Sequence, residues 1–172
     1  AGSDSFGSYL AMHKVMASTR AREAGLLTPE FHYIEKRRDA IEAAKEIIRS
    51  FHQPVVVKPV GWGSSVGVSI VGGYAPVLSA VEKLFNDGAN NVLVEEYIRG
   101  QEATVGVVEG LRGEVHYTLP VIEIVPPEGD FYSYNSKYSG TTRHVCPGNF
   151  SRVVREDIQR LAKVMHRSLG LR

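Results

Sequence analysis

Three β-branched residues, Val55, Val56 and Val57, lead into the ten residues 58–67, KPVGWGSSVG, and a β-rich run returns at 68–71. Strand, glycine loop and strand in succession constrain the fold tightly. A P-loop needs its lysine after the second glycine, and a dinucleotide fingerprint needs G-x-G-x-x-G opening a helix. Here the lysine comes first and no helix follows. Pro59 biases Lys58 toward extended geometry at a strand end. Gly61, Gly63 and Gly67 let backbone N–H groups approach an oxyanion, and Ser64 and Ser65 add hydroxyl donors where larger side chains would block it. The competing reading is a glycine-rich strand turn that binds nothing. The lysine and the paired serines favour phosphate.

Around this loop the pattern is mixed. Residues 4–24 lack proline and place Leu10, Lys14, Ala17 and Ala21 at helical spacing before Gly25, which predicts one helix. A short strand follows at 31–34. Ile41, Ala44, Ile48 and Phe51 mark a second helix, and Leu78, Val81, Leu84 and Phe85 a third, ended by Asp87, Gly88 and Asn90 before a strand at 92–95. After Tyr97 the character changes. Residues 102–108, 114–119 and 121–125 read as successive antiparallel strands, the first two joined by a turn around Gly110 and Gly113. About 20 residues of loop then begin at Pro126, carrying Asp130, Phe131, Tyr132, Tyr134, Lys137 and Tyr138, and a loop of that length in a compact domain is a candidate lid. Val154, Ile158, Leu161, Met165 and Leu169 close the chain as a helix with Ser151 as its cap. The sequence stops with no tail beyond that helix, so a fragment of a longer protein is the expectation.

Composition narrows the partners. At 172 residues and 43% hydrophobic content the chain can bury one core or two small ones. A net charge of +1 leaves no broad basic surface, so neither nucleic acid nor a membrane is indicated as a partner. No apolar run approaches the roughly 20 residues of a membrane span, and the amino terminus lacks signal-peptide character. The single cysteine, Cys146, excludes an internal disulfide framework and a cysteine-rich zinc site, pointing to a cytoplasmic location. His13, His32, His52, His116, His144 and His166 show no metal-ligand spacing and read as structural.

Phosphoryl chemistry needs cations converging on a polyanion, and Lys14, Lys58 and Lys137 sit in three separate segments. A lysine about 4 Å from a phosphate contributes about 1 kcal/mol in bulk water and about 4 kcal/mol at the dielectric typical near protein, so only a shielded cleft makes these lysines matter. Any one of them is otherwise a solvated surface charge. Glu95, Glu96, Tyr97 and Ile98 end one strand and Glu102 opens the next. That connection can offer backbone groups to adenine and a carboxylate to ribose hydroxyls, or simply place charges along a sheet edge. Tyr132, Tyr134 and Tyr138 either close over a ligand or anchor the long loop.

LAMHK at 10–14, VVVKPVGWGSSVGVS at 55–69, LVEEYIRGQEATVG at 93–106 and FYSYNSKY at 131–138 occur in order, with LPVIEI at 119–124, CPG at 146–148 and the closing LGLR. In this set the chain resembles the D-alanine:D-alanine ligase family of ATP-grasp enzymes. The resemblance implies an α+β, ATP-grasp fold of two small α/β subdomains, 1–94 and 95–172, with nucleotide between them and the fold incomplete at both ends. It matches Lys14 and Lys58 to lysines on the ATP phosphates, Ser64 and Ser65 to the small covering loop, and Lys137 to the phosphate lysine of the larger loop. Glu95, the backbone of Glu96 and Ile98, and Glu102 match the adenine and ribose contacts. Tyr138 matches a tyrosine that hydrogen-bonds the loop serine, here Ser64, which helps position the first D-alanine, and Tyr132 matches a nearby loop aromatic.

Members of that family phosphorylate one D-alanine carboxylate with ATP and let the amine of a second attack the acyl phosphate, in the synthesis of peptidoglycan precursors. Lysines and Mg2+ offset the charge of the transferring group, and closed loops keep water from the acyl phosphate. The Lys137 and Tyr138 pair resembles the version that accepts D-alanine second. His13 and Ser133 stand where aspartate is frequent. The family's amino-terminal domain, with a glutamate for the first D-alanine, is absent, as is the part after LGLR with the Mg2+ ligands and an arginine for the transferring group. No metal ligand is therefore assigned here, and the chain alone is expected to turn over slowly or not at all. A homodimeric parent is a further expectation. Two other readings stay open: another ATP-grasp carboxylate-amine ligase with a different amino or hydroxy acid, and a noncatalytic nucleotide-binding or partner-binding module.

Overall fold

The computed structural model describes residues 2–36 and 38–172. The chain opens with α1 (Ser5–Met12) and α2 (Lys14–Glu23), two helices where the spacing predicted one. The break at His13 has a tertiary cause: the Lys14 backbone N–H donates to the Val60 carbonyl at 3.3 Å and so leaves the helical ladder. By internal contacts the chain forms two units, one of Met12–Val15 with Thr28–Arg99 and one of Ala1–Ala11, Met16–Leu27 and Gly100–Arg172. We call them the four-stranded unit and the terminal unit.

The four-stranded unit contains β1 (Phe31–Glu35), α3 (Ala40–Ser50), β2 (Val55–Pro59), β3 (Ser69–Val71), α4 (Tyr74–Asn86) and β4 (Asn91–Glu96). Its sheet runs β1-β4-β2-β3 and every neighbouring pair is antiparallel. Strand alternation divides β2 cleanly: Val55, Val57 and Pro59 are buried on one face, and Val56 and Lys58 belong to the other. The first face joins Ile34, Val92 and Val94 in a core with Ala43, Ala44 and Ile47 from α3 and Val77, Val81, Leu84 and Phe85 from α4. Each large side chain buried there contributes roughly 1.5–3 kcal/mol. Asp39 caps α3, its Oδ1 accepting from the Ile41 N–H at 2.9 Å.

The terminal unit adds β5 (Glu102–Thr104), β6 (Val107–Glu109), β7 (His116–Thr118), β8 (Ile122–Val125), α5 (Tyr134–Tyr138), β9 (Arg143–Val145) and α6 (Arg152–Ser168). One antiparallel sheet runs β5-β8-β9, and β6 and β7 form a separate hairpin. The strand expected over 102–108 thus changes partner midway. At the change, the Gly106 carbonyl accepts from the Leu119 N–H at 2.9 Å, and a Cβ on Gly106 would stand 3.0 Å from a Leu119 methyl. The segment from Pro126 is less irregular than its composition suggested, because it forms α5 and then returns to the sheet as β9. Ser151 does cap α6, its Oγ accepting from the Val154 N–H at 3.3 Å. Gly148 is required sterically: a Cβ there would meet Glu123 Cβ and N at 2.9 Å. Among the described residues no helix is long and apolar enough to cross a membrane.

Candidate functional site

Register builds the first part of the site. Lys58 lies opposite Leu93 and Val56 opposite Glu95, so Lys58 and Glu95 are diagonal neighbours on the face that α3 and α4 do not cover. Diagonal residues on adjacent strands are about 7–8 Å apart at the backbone, within reach of two long side chains. Lys58 Nζ donates to Glu95 Oε2 at 2.5 Å, and the two side chains are only 19% and 9% exposed. A pair so withdrawn from water is costly to break, because either partner alone would be a buried uncompensated charge.

Lys14 joins this group from the helix break. Its Nζ donates to three carbonyls at the loop entry, Pro59 at 2.9 Å, Val60 at 3.3 Å and Trp62 at 2.5 Å. Burial holds its pKa below the ordinary lysine value, the Lys58 ammonium pushes it the same way, and Glu95 opposes them. Lys14 therefore fastens the start of the glycine loop and feels the charges of the Lys58 and Glu95 pair.

The loop itself has an unusual backbone. Ser64 and Ser65 occupy the left-handed region at φ 52° and 57°, and the turns around them close through Val66 N–H to Gly63 O at 3.0 Å and Val68 N–H to Ser65 O at 3.2 Å. Consecutive non-glycine residues there cost about 1–2 kcal/mol each, and strain of this kind gathers at ligand-binding loops. Gly67 has an internal reason to be glycine, since φ is 73° and a Cβ would stand 2.7 Å from Leu84 Cδ2. Gly61 and Gly63 have no such reason: a Cβ on either meets nothing within 4 Å. Their bare backbone is open to something outside the chain.

The remaining expected residues fall in smaller groups. Glu96 is tied to Glu30 twice, its N–H donating to Glu30 O at 3.0 Å and its Oε1 accepting from Glu30 N–H at 3.2 Å. Ile98 lies just beyond β4 and is 62% exposed. In the terminal unit, Glu102 is exposed on β5. Lys137 Nζ sits 4.4 Å from the centre of the Tyr132 ring, a cation–π contact, and Tyr132 Oη hydrogen-bonds His144 Nε2 at 3.1 Å. Tyr138 is exposed and tilts against Tyr134 with ring centres 4.9 Å apart. The structure thus brings Lys14, Lys58 and Glu95 together in one unit and Tyr132 with Lys137 in the other.

Sequence reasoning passed over the groups that hold this second set. Ser136 is buried, its Oγ donates to Phe131 O at 3.0 Å, and the buried Thr142 hydroxyl donates to Ser136 O at 2.9 Å. Glu123, 8% exposed on β8, accepts from Gln101 Nε2 at 3.2 Å and Asn149 N–H at 3.0 Å. Its place inside LPVIEI, at an alternating strand position, was the available signal. A 480 Å³ cavity of the terminal unit, lined by Leu26, Thr104, Leu161 and Met165 among others, contains none of the expected site residues.

A model of the D-ala D-ala ligase C-terminus family matches residues 21–172. A D-alanine–D-alanine ligase of Pelobacter propionicus is 35% identical across 99% of this chain and 52% of the relative, and one of Desulforudis audaxviator is 37% identical across 99% and 54%. The chain spans about half the length of the curated relatives it matches. Among solved structures, the VanG D-Ala:D-Ser ligase from Enterococcus faecalis superposes with a TM-score of 0.84 at 29% identity, covering 99% of this chain and 48% of that one.

Proposed function

The chain belongs to the D-alanine–D-alanine ligase family, and on that premise we propose that it is the ATP-binding part of an ATP-dependent ligase that joins two D-alanines through an acyl phosphate for peptidoglycan synthesis. Lys58 carries the proposal. Two strands and a buried carboxylate hold its ammonium beside a glycine loop whose Gly61 and Gly63 have no internal steric reason to lack a side chain. Ser64, Ser65 and Lys137 complete the phosphate contacts, Lys14 joins them by exchanging its bonds to the loop-entry carbonyls for phosphate oxygens, and Glu95, Glu96, Ile98 and Glu102 take adenine and ribose. Tyr132 and Tyr138 support the loops, with Tyr138 and Ser64 positioning the first D-alanine. We assign the two ATP-grasp subdomains to residues 1–94 and 95–172, with Ala1–Ala11 and Met16–Leu27 making their internal contacts in the terminal unit.

In that reaction a carboxylate oxygen of the first D-alanine attacks the γ-phosphorus, ADP leaves, and the amine of the second D-alanine displaces phosphate from the acyl carbon. The lysines stabilise charge on the transferring group, and the loops keep water from the acyl phosphate. Mg2+ takes oxygen ligands. Among the described residues the one cluster of three candidate metal ligands is Glu109, His116 and His166, two of them imidazoles, so the described residues do not fit Mg2+.

Calorimetric titration with ATP tests the assignment. Lys58→Ala is expected to weaken binding by roughly tenfold or more, since a lysine near phosphate contributes up to about 4 kcal/mol at protein dielectric. Lys45→Ala, at an exposed position on α3, leaves affinity unchanged. Equal affinities for the two variants defeat the phosphate site. Because VanG is named a D-Ala:D-Ser ligase, the acceptor is decided separately, by comparing D-alanine with D-serine as second substrate of the protein that contains this chain.

A further inference from the structure

The β6–β7 hairpin and the end of α6 assemble a group that sequence spacing did not reveal. Glu109 ends β6, His116 begins β7, and the register sets them directly opposite each other, so they project from one face of the hairpin. His166 comes from the last turn of α6. One turn earlier on that helix, Lys163 Nζ donates to Glu114 Oε2 at 2.9 Å and fastens the helix to the hairpin turn. Glu109 Oε1 lies 3.8 Å from His116 Nε2 and 3.6 Å from His166 Nε2, and one donor atom from each residue lies within 4.8 Å of the other two.

His166 supplies an independent sign of a ligand. Its side chain is 9% exposed, and its Nε2 is buried without a hydrogen-bond partner among the described residues. Buried ring nitrogens are almost always satisfied, so an orphan aimed at a carboxylate and a second imidazole requires an explanation. The His116 and His166 rings meet edge to face with centres 5.4 Å apart, and Glu109 Oε1 faces both Nε2 atoms. A cation between two neutral imidazoles and a carboxylate uses all three lone pairs at once.

We propose that Glu109, His116 and His166 bind a divalent transition-metal ion of the zinc class, which pins the end of α6 to the β6–β7 hairpin. Two imidazole nitrogens and one carboxylate oxygen are a zinc donor set, and the nitrogens disfavour Mg2+. Ligands about 2.0–2.1 Å from a tetrahedral Zn2+ stand roughly 3.3 Å apart, so the carboxylate distances of 3.8 and 3.6 Å, and the imidazole nitrogens that lie within 4.8 Å of each other, must all close on binding. Glu109 is 40% exposed, which leaves the fourth position to water.

The test is calorimetric titration of the metal-stripped 172-residue chain with Zn2+ in a Cys146→Ser background, because the exposed Cys146 thiol would otherwise compete. One Zn2+ per chain and a raised Tm are expected, and Mg2+ produces neither. Glu109→Gln and His116→Gln each weaken Zn2+ by roughly tenfold or more, while His52→Gln, an exposed histidine elsewhere, does not. Co2+ gives the visible spectrum of a tetrahedral site, lost in His116→Gln. His166→Gln risks misfolding, and the other two variants do not depend on it. Absent stoichiometric binding, binding that survives both Glu109→Gln and His116→Gln, or equal weakening in His52→Gln overturns the proposal.

Discussion

Lys58 and Lys137 are both proposed to contact phosphate, yet the chain holds them by different means. Lys58 stands on a strand whose register is set by a valine core, and its charge meets a buried carboxylate at 2.5 Å. Lys137 stands on a five-residue helix kept in shape by hydroxyls, and its charge meets the face of Tyr132 at 4.4 Å. A side chain positioned by long-range strand pairing moves only if the sheet moves. One positioned by a few local hydrogen bonds can shift while the rest of the fold stays intact, as a covering loop requires.

Glu95→Ala should test that contrast most severely. Leaving Lys58 buried and unpaired is expected to destabilise the chain by about 3 kcal/mol in urea unfolding. Tyr132→Leu, which removes the aromatic partner of Lys137, should cost about 1 kcal/mol or less. Similar losses from both would erase the distinction between a rigid and an adjustable lysine.

Thr142→Val sharpens the same comparison at smaller scale. It removes the hydroxyl that donates to Ser136 O and is expected to cost about 1–2 kcal/mol. The loss should be local, with faster amide exchange over 131–142 and unchanged protection in β2 and β4. Equal acceleration in the four-stranded sheet would mean that α5 is not an independently adjustable element.

The smallest effect concerns Lys14, which titrates below the ordinary lysine value of 10.5 because of burial and then Lys58, against the pull of Glu95. Between its folded pKa and 10.5 the unfolded chain carries the more protons, so stability rises with pH across that window. The cost of keeping Lys14 charged is present in full below the folded pKa and gone above the unfolded one. Glu95→Gln removes the one opposing influence and should lower the Lys14 midpoint further, followed by NMR titration of its ε-methylene. An unmoved midpoint would show that Lys14 is not electrically part of the Lys58 pair.

Much of this was legible along the chain. The three β-branched residues at 55–57 foretold β2, the lysine before the glycines excluded two common nucleotide loops, and Ser151 announced the start of α6. Other features were hidden because their causes are non-local. The break at His13 depends on a carbonyl at Val60, and the partner change at Gly106 depends on Leu119. Ser136 and Thr142 look like ordinary loop residues until α5 forms and buries them.

Local propensity and the order of motifs, both properties of neighbouring residues, were enough to determine the strand–loop–strand unit, the family resemblance and the candidate lysines. Only the tertiary structure decided that Lys58 is paired with Glu95, that Lys14 clasps the loop carbonyls, and that His166 faces Glu109 and His116. Those outcomes rest on strand register and on the docking of α6 against the hairpin. Register and docking are chosen by which apolar faces can be buried together, a property of the whole chain rather than of any one segment.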